Sequence, residues 1–517
     1  MKKLGGIQRW RSTGAALCIS GAVLGCGGGG GSGGGGSSSG TVEATAKISA
    51  VAWSASALNV ERDVFATESS LPSKVALSLR NTGGSYWYKY SYDKAFADVS
   101  HSHRTADEGL DFSVGFPLFP ARAVGSYSDT LSVLLCYDAN CNREVPGGPF
   151  NLPMRLDVGY FAVAEADVEP LQPAQTTVLT HDVLGAAYSA ALDAVVTVSA
   201  RPTATLRLHD LRSGQVRTVP LAVPPTSLSL SADGLRAAVG HDAAVTLLDL
   251  QADSPEPARR FDVPLAVGSL VLAGDRVVAM GSVSNNSNPI YWLDTKTGLA
   301  SRFDAAFGGF GIYGTAASAL HPSGDRLYMA DLGVSPDDVW RMDLSGDAAT
   351  GKARNSRYHG EHRFCGRLAV APNGLRIYTA CGTVLSSSPN WTDDLVYAGS
   401  MKLSATDTWG NSDYRAAALN VAPDNASIAL LEEHWQNCRP LTGHLSKCYT
   451  RLAVYDATTL ERRSLKGLAP YVRNRDRLQQ WGRHLMHRSD GSLLLLAEVR
   501  TQNEATPTWL LHRVSKP

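Results

Sequence analysis

At 517 residues the chain exceeds one ordinary domain, and 49 glycines with only 19% charged residues point to many turns rather than long surface helices. Basic and acidic residues balance at 48 each, but Lys2, Lys3, Arg9 and Arg11 fall in an N-terminal stretch without acids, so residues 26–517 carry a net charge of −4. Nothing in that balance suggests the basic footprint of a nucleic-acid-binding protein, and two all-β bodies are expected instead.

The N-terminus has the form of an export signal, basic "MKKLGGIQRWR" followed by the small, apolar "TGAALCISGAVLG", a run too short to span a bilayer. It ends at "VLGC", Val23 to Cys26, which resembles the bacterial lipobox. The resemblance implies a signal peptide of residues 1–25, lipid on the Cys26 thiol and, with Gly27 rather than Asp next, an outer-membrane address in the cell envelope. The following "GGGGGSGGGGSSSG" cannot bury a core; residues 26–41 act as a tether, and Gly27 to Gly40 span about 20 Å as a flexible coil.

With Cys18 in the signal and Cys26 lipidated, six cysteines remain in three close pairs: Cys136 with Cys141, Cys365 with Cys381, and Cys438 with Cys448. Six cysteines allow fifteen connectivities, but export and local spacing favour neighbour disulfides. Zinc is disfavoured because C-x-x-C and finger-type spacing are absent.

Residues 42–163 contain short alternating runs, "KVALSLRNTGG", "WYKYSY", "GLDFSVGF", "SDTLSVLLCYDANC" and "NLPMRLDVGYF", separated by turn residues. This predicts a β-sandwich. Its closing portion, "GSYSDTLSVLLCYDANCNREVPGGPFNLPMRLDV", resembles the last strands of Ig-like modules of exported bacterial proteins, in which Cys136 and Cys141 would pin a turn. Residues 164–175, "AEADVEPLQPAQ", are acidic, carry two prolines and lack apolar periodicity, so they are expected to be a linker.

From residue 176 one unit recurs, as in "LSLSADGLRAAVGHDAAVTLLDL", "SALHPSGDRLYMADLGVSPDDVWRMDLSG" and "LMHRSDGSLLLLAEVRTQNEATPTWLLHRV". The shared turn falls at Asp193, Asp233, Asp275, Asp325, Asn373, Asp424 and Asp490, at steps of 40, 42, 50, 48, 51 and 66. Each unit reads strand, tight polar turn, strand, variable loop, third strand, often ending in Asp. The units resemble YVTN and WD-type repeats, which implies a seven-bladed β-propeller over residues 176–517; one misread unit would make it six or eight. Because "TWLLHRV" leaves the last unit without a fourth strand, "TTVLTHD" is expected to complete it and close the ring.

In such blades the loops between strands one and two, and three and four, share one face, and the others lie opposite. The first set reads as uniformly short, while the insertions at 307–314, 354–367, 385–394, 408–415, 432–449 and 471–483 are assigned to the opposite face. They carry the candidate ligand-binding residues Tyr313, Tyr358, His359, His362, Arg363, Trp391, Trp409, Tyr414, Arg415, His434, Trp435, Arg473, Arg475 and Trp481. Loops on a rigid scaffold often carry function, and Trp, Tyr and Arg dominate recognition energies.

"GFGIYG", Gly309 to Gly314, lacks the strand and helix of a dinucleotide fingerprint. His359, His362 and His434, or His101 with His103, are the nearest approach to a metal set, and Glu432, Glu433 and Asp476 to an acid–base pair. No cofactor and no metal are assigned. The expectation is a noncatalytic, lipid-anchored envelope protein that offers the elaborated propeller face to a protein or glycan. A propeller lyase or hydrolase at that face and a scaffold subunit of an envelope-assembly complex are the alternatives. Finally, if Pro372-Asn373-Gly374 is a three-residue turn, Cys365 and Cys381 are directly opposed across its hairpin.

Overall fold

A computed structural model describes residues 46–63, 72–83, 85–103, 109–117, 122–159, 168–251, 259–282, 287–303, 312–313, 317–331, 335–346, 348, 351–404, 414–434, 450–499 and 507–516. Every regular element among the described residues is a strand. The chain divides into two compact units, residues 1–161 and 162–517.

The first unit is a β-sandwich. One sheet runs Ile48–Trp53, Ser73–Asn81, Gly109–Gly115, Asp98–His103; the other runs Leu58–Asp63, Phe150–Gly159, Gly125–Cys136, Trp87–Ser91. All neighbours are antiparallel except Leu58–Asp63 beside Phe150–Gly159. The alternation in "GLDFSVG" sends Leu110, Phe112 and Val114 inward, where they meet Leu131, Val133, Leu152 and Met154 in one shared core. Just past the long strand Gly125–Cys136, Asp138 accepts the backbone N–H groups of Asn140, Asn142 and Arg143, which shapes the turn that the Cys136–Cys141 disulfide closes.

The second unit is a β-propeller, built from antiparallel four-stranded sheets. Four are simple: residues 185–220, 317–355, 368–400 and 414–468. A nominal six-stranded sheet over 227–302 resolves into two more. Strand Arg236–Asp249 folds back on itself at Ala243, whose φ is 57°, and the Leu250 N–H reaches the Leu235 carbonyl at 2.8 Å. Strand Arg259–Ala273 changes partner at a bulge between Val267 and Ser269, pairing first with 242–247 and then with Arg276–Gly281. Gly268 sits at that break, where a Cβ would lie 2.7 Å from the Ser282 backbone. The last sheet combines Gln480–His487, Leu493–Val499 and Thr508–Val514 with Gln175–Leu179 from the start of the unit. The predicted closure by "TTVLTHD" is thus seen directly as strand pairing.

The first strands touch in cyclic order, residues 185–189, 227–230, 259–273, 317–320, 368–370, 414–421 and 480–487, and the last returns to the first. Strands 185–189, 227–230 and 317–320 are half-exposed along most of their length, as inner strands facing a channel are. Second strands are flanked on both edges and covered on both faces, so Ala194–Ser199, Arg326–Ala330 and Leu493–Val499 are buried throughout. Each joint between sheets is apolar: Val239 meets Val196 and Leu206, Tyr328 meets Ile377, and Leu494 meets Val195 across the closure.

The recurring acidic turns have a local cause. Asp193 and Asn425 have φ of 47° and 58°, and Gly234, Gly274, Gly324, Gly374 and Gly491 lie between 61° and 82°, the left-handed values that a tight hairpin requires. Side chains just before the glycines brace the turns: Asp233, Asn373, Asp424 and Asp490 each accept a backbone N–H two residues on, at 2.9–3.0 Å. The Asp that ends the third strand does the same for the next turn, as Asp210, Asp294 and Asp456 show.

Two expectations need correction. Pro170–Leu171, inside the segment read as linker, pairs in parallel with Gly467–Leu468, because Leu171 finds an apolar seat beside Leu452 and Leu485. The "PNG" hairpin is also one residue out of the predicted register: Leu368, Ala369 and Val370 face Thr379, Tyr378 and Ile377. Its turn begins at Ala371, whose carbonyl accepts the Gly374 N–H at 2.8 Å, leaving four residues in the loop. The Cys365–Cys381 disulfide nevertheless forms beyond the ladder, across a Cα separation of 5.4 Å. Left-handed φ values at Cys365 (59°) and Gly366 (75°) break the strand and swing the cysteine back.

Of the three expected disulfides the structure shows two, Cys136–Cys141 and Cys365–Cys381. The third, joining Cys438 to Cys448, is not among them, because Cys438 and Cys448 both lie outside the described residues.

The joint between first and last sheets also carries an ion pair. Arg488 straddles the Asp193 carboxylate, with Nε 2.7 Å from Oδ1, and the Tyr188 hydroxyl donates to the same oxygen at 2.9 Å. Arg488 holds the Asp193 carboxyl far below the usual carboxylate range and is itself raised. The Asp193 contribution is therefore complete above the unfolded carboxylate value and fades as pH falls below it. Asp193→Ala should cost about 2 kcal/mol, because it removes a charge-assisted hydrogen bond and the Tyr188 bond together, although Arg488 keeps Asp490 at 2.7 Å. Urea denaturation of Asp193→Ala, Arg488→Met and the double variant should show the two singles costing more in sum than the double, with the Asp193→Ala difference vanishing in strong acid.

Candidate functional site

Antiparallel alternation puts the connections between second and third strands, and from one sheet's fourth strand to the next sheet's first strand, on one face of the propeller. The described long connections there are 356–367 and 469–479. Residues 307–311, 314, 405–413 and 435–449 lie outside the described residues, and with them Trp409, Trp435, Cys438, Cys448 and most of "GFGIYG". Of the insertions assigned to this face, one is misplaced. Residues 387–396 join the third strand Thr383–Ser386 to the fourth strand Tyr397–Ser400, and so belong to the opposite face. The second-to-third connection of that sheet is only Ala380–Gly382, so the disulfide does not support the 387–396 loop.

Trp391 on that loop is a packing residue. It lies under two guanidinium groups, Arg341 at 3.9 Å and Arg354 at 4.8 Å from its ring centroid. Arg341 is buried and satisfied by Asp394 at 2.9 Å, Asp343 at 2.8 Å and the Ser388 carbonyl at 2.9 Å, while Tyr328 also donates to Asp394. This network glues the loop to the neighbouring 317–355 sheet.

Connection 356–367 runs along the outer rim. The Tyr397 N–H donates to the Tyr358 hydroxyl at 2.9 Å, His362 stacks on the Tyr397 ring at 4.3 Å, and Tyr358 meets His362 edge-on at 4.7 Å. His359 is exposed, 3.2 Å from the Asp338 carboxylate, and Arg363 is exposed with its carbonyl accepting the Thr383 hydroxyl. Tyr358 and His362 are thus held against the outer, fourth strand of their sheet.

Connection 469–479, expected as a loop, is a hairpin. Tyr471–Arg473 pairs with Asp476–Leu478 through a two-residue turn at Asn474, whose φ is 60°. Val472 is 62% exposed, with Arg475 and Arg477 exposed beside it and Arg473 half-buried. Trp481, by contrast, is only 5% exposed, with Arg483 over its ring at 5.4 Å, and cannot present its face to a ligand.

The channel mouth holds the remaining candidates. Tyr414 and Arg415 open the first strand of the 414–468 sheet and pair in register with His434 and Glu433; the Arg451 guanidinium covers the Tyr414 ring at 3.7 Å. Tyr313 lies in the short strand Ile312–Tyr313, paired with Ser287–Asn288. Glu432 is fully buried and takes hydrogen bonds from Ser404 and Tyr455, which removes it from any acid–base pair. Glu433 accepts the Thr450 hydroxyl at 2.9 Å and lies 3.5 Å from Arg483, whose Nε donates to Glu498 at 2.9 Å. His101 is packed among Tyr88, Tyr90 and Phe112 in the sandwich. Among the described residues no group of three metal-ligating side chains converges.

Sequence reasoning passes over Arg367 and His484. Arg367 immediately precedes the first strand Leu368–Val370, and its carbonyl accepts the Ala380 N–H, whose own carbonyl binds the Ala416 N–H of the next sheet at 2.8 Å. His484 follows Arg483, the extra residue of a bulge between Gly482 and His484. The bulge leaves both side chains half-exposed, where plain alternation would turn one away. Gly482 is needed beside it, since a Cβ would lie 2.7 Å from Leu431 and 2.9 Å from Thr450. Enclosure by protein, then Arg367 and Arg483, lower the His484 pKa to about 3, so its imidazole is neutral at pH 7. The only sequence signal is a run of cations at successive strand starts.

No protein-family profile and no curated protein matches the chain. Among solved structures it is similar to the β-propeller domain of Cps50 (Swd1) from Myceliophteria thermophila, at 12% identity and a TM-score of 0.44, over 66% of this chain and 99% of that one. The propeller fold itself follows from sheet order and the cyclic contacts of the first strands.

Because Trp391 is held between two arginines, Trp391→Ala should lower stability by about 2 kcal/mol while leaving ligand binding at the opposite face unchanged. Urea denaturation beside a binding assay checks both. Removing the Cys365–Cys381 bridge with a double Ala variant should cost about 3 kcal/mol in the chain-entropy model, and a non-reducing peptide map should recover that pair linked.

Proposed function

We propose that this chain is a noncatalytic binding protein whose propeller offers the face of the 356–367 and 469–479 connections to a protein partner. The observation that carries the reading is the hairpin Tyr471–Leu478, a described element of that face whose first strand exposes Val472 beside Arg473 and opposite Arg477. Arginine is enriched at protein-recognition surfaces, and this hairpin carries Arg473, Arg475 and Arg477. Support for seven blades comes from the cyclic order of first strands and from the closing strand Gln175–Leu179. The two-sheet first unit with its Cys136–Cys141 turn is in keeping with an Ig-like spacer over residues 42–163. The "VLGC" motif and the Gly/Ser run after it support a lipid anchor at Cys26 and a place in a bacterial envelope, at the outer membrane.

Two experiments test this. A photo-crosslinking residue at position 472 should give one discrete adduct in envelope-producing cells, while the same residue at Leu299 or Leu375, exposed on the opposite face, should give none; adducts from Leu299 or Leu375 alone would refute the face assignment. Metabolic labelling with a fatty-acid analogue should mark the protein and be lost in Cys26→Ala.

A further inference from the structure

The channel mouth contains a cation that the fold does not use. Arg483 is fixed by Glu498 and Glu433, Glu433 is also held by Thr450, and Arg451 lies over Tyr414. The Arg367 side chain has no hydrogen-bond or ion-pair partner among the described residues. It is exposed to solvent, yet protein surrounds it closely enough that desolvation, then repulsion from Arg483, lower its pKa, with Glu433 only partly offsetting them. Arg367 immediately precedes the first strand Leu368–Val370, and the first strands are the ones that line the channel. His484, on the first strand Gln480–His487 of another sheet, is half-exposed and makes no hydrogen bond through its ring among the described residues.

Charge bookkeeping at the mouth gives the sign of the missing group. Among the described residues Arg367, Arg415, Arg451 and Arg483 stand against Glu433 and Glu498, since Glu432 is held by Ser404 and Tyr455 beside Arg462, so positive charge is in excess. On the same face the hairpin adds Arg473, Arg475 and Arg477 against Asp476. Keeping an arginine unpaired beside a second arginine works against folding, so its compensation is sought in a ligand.

From this geometry we infer that Arg367 and His484 form a carboxylate-binding subsite at the mouth of the propeller channel, which receives an acidic side chain of a peptide segment while the arginines of hairpin 471–478 meet the flanking acidic residues. A planar guanidinium takes a carboxylate through two parallel hydrogen bonds, and a neutral imidazole contributes one N–H more. This rests on the proposed binding face and names the chemistry of its partner.

The test uses the full folded chain and fluorescence polarisation of a rhodamine-labelled acetyl-hexaglutamate amide, with a hexaglutamine peptide, inorganic phosphate and tri-galacturonate as competitors. The hexaglutamate peptide should bind and hexaglutamine should not compete. Arg367→Gln should weaken binding at least tenfold, Arg367→Lys should fall between, and His484→Gln should weaken it severalfold. The readout that a merely structural arginine would not give is thermal: Arg367→Gln should leave Tm unchanged or raise it, because it removes an uncompensated charge. Unchanged affinity in Arg367→Gln, a loss of binding matched by a fall in Tm, or competition by tri-galacturonate or phosphate at concentrations below those of the peptide would each overturn the assignment. If Arg367→Gln is silent while position 472 still crosslinks, the subsite fails and the face stands; if crosslinks move to position 375 while Arg367→Gln still weakens the peptide, the face reading fails alone.

Discussion

Ring closure is the constraint on which the second unit depends. A four-stranded sheet in this protein has two apolar faces and can cover neither by itself, so each relies on neighbours on both sides. Gln175–Leu179 adds the fourth strand to a sheet whose other three strands come from the end of the chain, and the apolar cluster of Leu494, Leu511 and Val195 seals the joint. Without that pairing the ring has two open flanks and one bare strand edge. The Arg488–Asp193 pair sits at the same joint, which places a charged latch where the first and last sheets of the second unit meet.

A rigid ring explains how the candidate site is placed. The first strands converge on the channel, so a residue at the start of each one reaches the same mouth even when their sequence positions lie far apart. Arg367 and Arg483 interact for that reason, and the bulge at Arg483 lets His484 join them. The rim behaves differently. Tyr358 and His362 are spent on the Tyr397 ring and backbone, and Trp391 on Arg341 and Arg354, so much of the aromatic content holds connections against blades.

Much of the architecture is legible in the sequence because it rests on local rules. Positive φ at a tight hairpin demands Gly, Asn or Asp, and the spacing of those residues marks each repeat; fully buried second strands show as continuous apolar runs. The misreadings share a cause as well. Loop 387–396 falls on the other face, and the Cys365 hairpin one residue away from the expected register, because a loop's length shows where a strand stops but not which two strands it joins. Trp481 looks like a recognition residue from composition, and only the packing of Gly482 against Leu431 and Thr450 shows why that strand start is buried.

The sequence by itself determined an all-β chain, a repeated strand-turn-strand unit with its Asp- and Gly-built turns, the neighbour pairing of Cys136 with Cys141 and Cys365 with Cys381, and a first strand that completes the last sheet. Each of these depends on residues close in the chain or on a pattern repeated along it. Tertiary structure alone decided which cations are satisfied. Glu498 and Glu433 reach Arg483 from the ends of two second strands, and Arg367 is left without an ion pair among the described residues. Charge pairing across a ring is set by distances through space, and the order of residues along the chain carries no record of them.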